Sequence, residues 1–179
     1  MPAEERTPNP EAQLASFFAK YEPAIAKLGK TLRARLRARL PGLLELVYVY
    51  ENQESLVISY SPTDSGHEGV CAIALYPTGV KLFFGRGAQL SKADPSKLLQ
   101  GSAKLVRFVG IDAIADFERA EVEVLIAAAV KLAKVRIVAG AEGAVVIKAA
   151  AQKERARRAK KVGKKVGKVA VGRAKKAKG

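Results

Sequence analysis

Apolar residues first recur along this chain at helical spacing. Leu14, Phe17 and Phe18 lead up to Tyr21, and after Pro23 the residues Ile25, Leu28, Leu32, Leu36 and Leu40 form one stripe. Two helices are predicted, the second opened by Pro23 and ended by Pro41-Gly42. From Glu45 the period changes. Short runs rich in Val, Ile, Phe and Tyr predict strands over 46–51, 55–61, 69–76, 80–85 and 104–109. Connections 51–54 and 77–79 are of hairpin length, with Pro77 presetting φ and Gly79 free to take a positive φ, so the first four strands should form an antiparallel meander. Leu56, Ile58 and Tyr60 share a face opposite Val57 and Ser59, as in a sheet with one side on helices and the other partly wet. Residues 62–68 read as a flexible loop.

Beyond the meander, 94–101 reads as a short helix with Asp94 as N-cap, Pro95 in the first position and Gly101 past the end. Asp116 is expected to open another helix, with Phe117, Val124, Leu125, Ala128, Leu132 and Val135 as a stripe covering the sheet up to Ile137. Residues 144–148 make a possible edge strand. The fold class is therefore α+β: an antiparallel sheet of about five strands packed against N-terminal and C-terminal helices. Its organisation is a polar arm (1–10), a domain (11–148) and a tail (149–179).

That tail changes the picture. It holds 13 of the 32 Lys and Arg but only one of the 17 acids, Glu154, so it carries +12 of the +15 net charge and leaves the body close to neutral. Lys160-Lys-Val-Gly163 and Lys164-Lys-Val-Gly167 repeat a four-residue unit. Without aromatics, the tail cannot bury enough apolar area to offset chain entropy, so it is expected to be disordered in isolation, with 149–162 the part most prone to transient helix. Its composition is similar to the Lys-, Ala- and Val-rich tails of linker histones and bacterial histone-like proteins.

Several chemistries are excluded by residue type. One cysteine, Cys71, allows no internal disulfide, and one histidine, His67, leaves no Cys/His metal cluster. No base, nucleophile and orienter can be assembled into a triad, so no enzyme is expected. Asp112, Asp116, Glu118, Glu121 and Glu123 are the carboxylates available to a hard cation, but acids near a helix start are expected from the dipole alone. No cofactor and no metal are predicted. The start of the chain resembles neither a signal nor a transit peptide, and the longest apolar run of the body, 124–130, falls far short of the roughly 20 residues that span a bilayer. A cytoplasmic protein is the expectation, with the nucleoid as one place where its tail could hold it.

Residues 11–137 resemble the YdhG-like domain, an uncharacterised bacterial family also described as frataxin-like because one member has been assigned an intracellular iron-chaperone role. The resemblance is carried by Gly79-Val-Lys-Leu-Phe-Phe-Gly85, by Gly87-Ala-Gln-Leu90, and by Asp94-Pro95, Leu98-Leu99, Gly101, Lys104 and Arg107. Ala103 stands where such sequences often have a second glycine. Val145-Val-Ile-Lys148 and Gln152-Lys-Glu-Arg155-Ala-Arg157-Arg158 look like the end of many members. What the resemblance implies is an antiparallel sheet backed by helices, with a concave face for a small ligand or a partner. It transfers no enzymatic activity.

Two sets of candidate site residues follow. Lys153, Arg155, Arg157, Arg158, Lys160, Lys161, Lys164, Lys165, Lys168, Arg173, Lys175, Lys176 and Lys178 are the candidates for non-specific DNA or RNA binding. Arg86, Lys104 and Arg107 are candidates for a small anionic ligand, with Lys104 and Arg107 placed on opposite faces of one strand and Arg107 able to act with Lys81 or Arg86. The arginines of Arg33-Ala-Arg35-Leu-Arg37-Ala-Arg39 read either as a solvated helix rim or as an anion-facing patch.

Overall fold

The computed structural model describes residues 9–148, so residues 1–8 of the arm and the basic tail, with all of its candidate nucleic-acid-binding residues, lie outside the described residues. Helix α1 (Pro10–Phe18) starts where Asn9 accepts a hydrogen bond from the Glu11 N–H (2.9 Å), and α2 (Pro23–Arg39) has proline in its first turn. A meander follows as expected: β1 (Leu44–Tyr50), β2 (Ser55–Ser61), β3 (Cys71–Tyr76) and β4 (Gly79–Phe84), each antiparallel to the next. Then come β5 (Arg107–Ile111), the short α3 (Ile114–Phe117), α4 (Ala120–Leu132) and β6 (Val145–Ile147). Three 3₁₀ turns, Glu51–Gln53, Gly66–Glu68 and Gly87–Ala93, join the strands.

The sheet has six strands in the order β5-β4-β3-β2-β1-β6, and β6 runs parallel to β1. It is therefore mixed, which corrects the expectation of an antiparallel sheet. Strands β1 to β5 alone follow that pattern; β6 arrives after a long connection through α3 and α4, so a parallel pairing is open to it.

Sequence periodicity set the buried side correctly. Leu56, Ile58 and Tyr60 are fully buried with Val47, Ile73, Leu75, Leu82 and Phe84 of neighbouring strands, and they meet Leu14, Phe18, Leu32, Leu36 and Leu40 of α1 and α2. Each such aliphatic side chain stabilises the fold by about 2 kcal/mol relative to exposure. Helix α2 lies close over the sheet because Gly29 faces Leu75: a Cβ there would stand 2.7 Å from a Leu75 methyl.

Three expectations need correction. Residues 94–101 form no helix: Lys97 takes a left-handed φ of 55°, and the Asp94 carboxylate accepts from the N–H groups of Leu98 (2.8 Å) and Leu99 (2.9 Å), closing a loop in which Gln100 bridges to Phe108. The fifth strand begins at Arg107, leaving Lys104 exposed in that loop. The helix expected from Asp116 is two helices broken at Glu118 and Arg119, and it ends at Leu132. Val122, Leu125, Ile126 and Ala129 form the buried stripe, while Val124 is 51% exposed. A run of seven apolar residues fixes no helical phase by itself, and the backbone of α4 comes close to the Gly87–Ala93 turn while its buried stripe joins the same core as the strands. Among the described residues no helix is long and apolar enough to cross a membrane.

Candidate functional site

The three residues nominated for an anion are not brought together. Arg107 points its guanidinium at its own loop, donating to the carbonyls of Ala103 and Val106. Gly87 lies directly against it, so a Cβ at Gly87 would stand 2.5 Å from that of Arg107. Lys104 is in the loop, and Lys81 is on the opposite face of the sheet from Arg107. Of the three, Arg86 lines a cavity.

That cavity, of about 670 Å³, opens between loop 62–70, the end of β4 and the segment after α4. Val70, Phe84, Leu90 and Leu132 contribute its apolar lining, and Arg86, His67, Lys134 and Arg136 its basic groups, against one acid, Glu68. Glu68 accepts a hydrogen bond from the Thr63 hydroxyl at 2.5 Å. Lys134 holds a left-handed φ of 55° just past the end of α4, a position where glycine is usual. His67 and Cys71 form no pair: His67 is exposed in its loop, whereas Cys71 is buried on β3.

The arginine run on α2 is neutralised by the body itself, which removes the anion-facing reading. Arg33 donates from Nε (3.0 Å) and Nη2 (2.7 Å) to the buried Glu45 and from Nη2 to Glu11 (2.7 Å). Arg37 joins Glu11 at 3.1 Å, Arg35 pairs with Glu118 at 3.0 Å, and Arg39 with Glu123 at 2.7 Å. Tyr60 completes the buried cluster by donating to Glu45 Oε1 (3.2 Å). Burial works against the charge on Arg33, yet the hydrogen bonds and charges of Glu45 and Glu11 outweigh it and hold Arg33 more firmly protonated than usual. The hydrogen bond from Arg33 keeps the Glu11 carboxyl below its ordinary range against a smaller opposing effect of burial.

Four of the five acids considered for a hard cation are engaged elsewhere. Glu118, Glu121 and Glu123 pair with Arg35, Arg119 and Arg39, and Asp116 accepts from the N–H groups of Asp112 and Ala113 at the start of α3. Among the described residues no three His, Cys, Asp or Glu side chains are grouped to hold a metal ion.

What the sequence reading missed lies on the sheet face away from the helices. Cross-strand pairing puts Tyr50 beside Ser55, Tyr48 in a row with Val57, Ala74 and Lys81, and Leu46 in a row with Ser59, Ala72, Phe83 and Phe108. Tyr48 and Tyr50 stack with centroids 6.2 Å apart and planes at 11°; Phe83 and Phe108 meet at 5.4 Å and 43°. The Lys81 ammonium sits 4.5 Å from the Phe108 centroid and 5.3 Å from that of Tyr76, within cation–π range. Burial, reinforced by the neighbouring Tyr50, raises the phenols of Tyr48 and Tyr76 above their ordinary value. These five rings are half-buried, and no helix among the described residues packs on them. Loop 62–69 leans over the part of the face around Leu46, which is fully buried, with Gly66 and Gly69 so close to Tyr48 Oη and Ser59 Oγ that a Cβ at either glycine would stand 2.6 Å away. The signal was present as period-two pairs, Tyr48-x-Tyr50 and Lys81-x-Phe83, but only the register between strands shows that they share a surface.

Compared with protein-family models, with curated proteins and with solved structures, the chain matches none.

Proposed function

We propose that this is a non-enzymatic α+β binding protein held on DNA or RNA through its polycationic C-terminal segment. The observation that carries this reading is the division of charge. All four arginines of the α2 run are paired with glutamates of the same domain, so the body's densest cationic stretch is neutralised in place. Residues 149–179, by contrast, combine 13 cations with one acid. Lysines and arginines in such a run release counterions from a phosphate backbone and bind it without reading sequence. Such a protein would reside in the cytoplasm and associate with the nucleoid. The YdhG-like reading is supported by the order of helical start, meander and the Asp94 to Arg107 stretch at the sheet edge.

Deleting 152–179 tests the function. With about six phosphates engaged, the full chain should bind duplex DNA with a log–log salt slope near −5. The deletion should abolish retention on DNA at about 150 mM salt; retention that survives it unchanged would refute the proposal.

A second reading has a specific observation behind it. Arg86, Lys134, Arg136 and His67 line one cavity, which suits a small anion, and a carrier of such a ligand would use the body alone. The iron carrier implied by the family resemblance lacks a comparable ligand group among the described residues.

A further inference from the structure

We infer that the aromatic part of the sheet face away from the helices, built by Tyr48, Tyr76, Phe83 and Phe108 around Lys81, is a stacking surface for the unpaired bases of single-stranded nucleic acid. The inference rests on the nucleic-acid reading above and deepens it, since the tail gives affinity for any phosphate backbone whereas this face distinguishes a single strand from a duplex.

Charge comes first. Among strand residues on this face the only charged side chain is Lys81; the one carboxylate of the strands, Glu45, points to the helix side and is neutralised there. Asp64 and Glu68, on the loop at one rim, are engaged by Lys148 and Thr63. A phosphate approaching the sheet thus meets a cation centred between the rings of Tyr76 and Phe108 and no opposing carboxylate on the strands.

Shape comes second. Tyr48 stands on β1 and Phe83 on β4, three strand spacings or roughly 14 Å away. Between them the floor is made of small side chains, Val57, Ala72 and Ala74. The half-buried rings on both sides of this floor present π surface to a base, and base–aromatic stacking tolerates any sequence. Bases of a duplex have their faces covered by their own neighbours and cannot use such a surface. In the sequence the polycation follows directly after β6, whose Val146 pairs with Leu46.

The test uses the full chain, a twelve-residue oligothymidylate and a twelve-base-pair duplex, with affinities measured from about 100 to 400 mM salt. Phe83→Leu with Phe108→Leu keeps apolar volume but removes two rings. It should weaken oligothymidylate binding at least tenfold and leave duplex binding unchanged. Lys81→Gln, which removes a partly exposed charge, should lower the single-strand salt slope by about one. In the unaltered protein, which lacks tryptophan, oligothymidylate should quench tyrosine fluorescence at high salt and the duplex should not. This holds the inference to account even where the leucine variant melts early.

Equal oligothymidylate affinity of the leucine variant and the parent would overturn the inference, as would equal losses on both probes. A dimer at micromolar concentration that the leucine variant dissociates would also overturn it, since a second copy would then cover the face. Duplex binding without any single-strand preference would remove this inference and leave the tail reading standing; binding of neither probe would remove both.

Discussion

Cys71 is the chain's one thiol, 2% exposed on β3, and burial pushes its pKa up to about 12 from an ordinary 9.0, against a small opposing effect of the Arg39 charge. Tyr60, also buried, is raised well above 10.0 by burial and by the nearby Glu45. Both groups lose their protons earlier in the unfolded chain than in the folded one. Their contribution to stability is therefore complete below about pH 9 and is lost as pH climbs towards 12. Urea unfolding should show a fall of about 2 kcal/mol between pH 8 and pH 10.5. At pH 8 an aromatic disulfide reagent should leave the folded protein untouched and titrate one thiol after denaturation; rapid reaction of the native state would contradict the buried placement. Glu11 has the opposite sign: its carboxyl is depressed, so its share is lost as pH falls below about 4.5, and that share is small because the side chain is 46% exposed. The core role of Cys71 was legible in its alternation with Ile73 and Leu75. The Arg33–Glu45–Tyr60 cluster was not, because it joins α2, β1 and β2 and no local pattern reports it.

At the scale of elements, β6 is held by close backbone approach. The Glu45 N–H donates to the Ala144 carbonyl (2.9 Å) and the Lys148 N–H to that of Val47 (2.8 Å), while a Cβ at Gly143 would stand 2.0 Å from the Leu43 carbonyl oxygen. Gly143→Ala should therefore cost about 2–3 kcal/mol, read as a lower urea midpoint, with amide exchange rising first in β1 and β6. An unchanged midpoint would mean that the approach is not needed. The strands and turns of the meander were legible because alternation and Pro77–Gly79 act locally. The segments that misled did so for identifiable reasons. Asp94-Pro95 carries helix-start chemistry, yet a left-handed Lys97 turns the cap into a loop clasp. The apolar run in α4 hides its phase, and the direction of β6 depends on a long crossover that no short window contains.

For the whole molecule, the hydrophobic cluster of the described residues runs from Leu14 to Ile147. Removing 152–179 should accordingly leave the melting temperature within about 2 °C at moderate salt; a larger drop would mean that the basic segment is neutralised in cis on its own domain, which would also undercut the nucleic-acid proposal. The charge division behind that proposal was fully legible in composition, whereas the aromatic face needed the register of five strands before it existed as a surface.

Because the sheet is finished by β6, the outer flank of β1 has no partner until residues 145–147 have been made. During synthesis the meander can assemble early, but it keeps one unsatisfied row of amides and carbonyls along Glu45, Leu46 and Val47. A nascent or prematurely terminated chain lacking Val145 would thus offer a sticky border to its neighbours on the polysome, and closure of that border is the last folding event available to the domain.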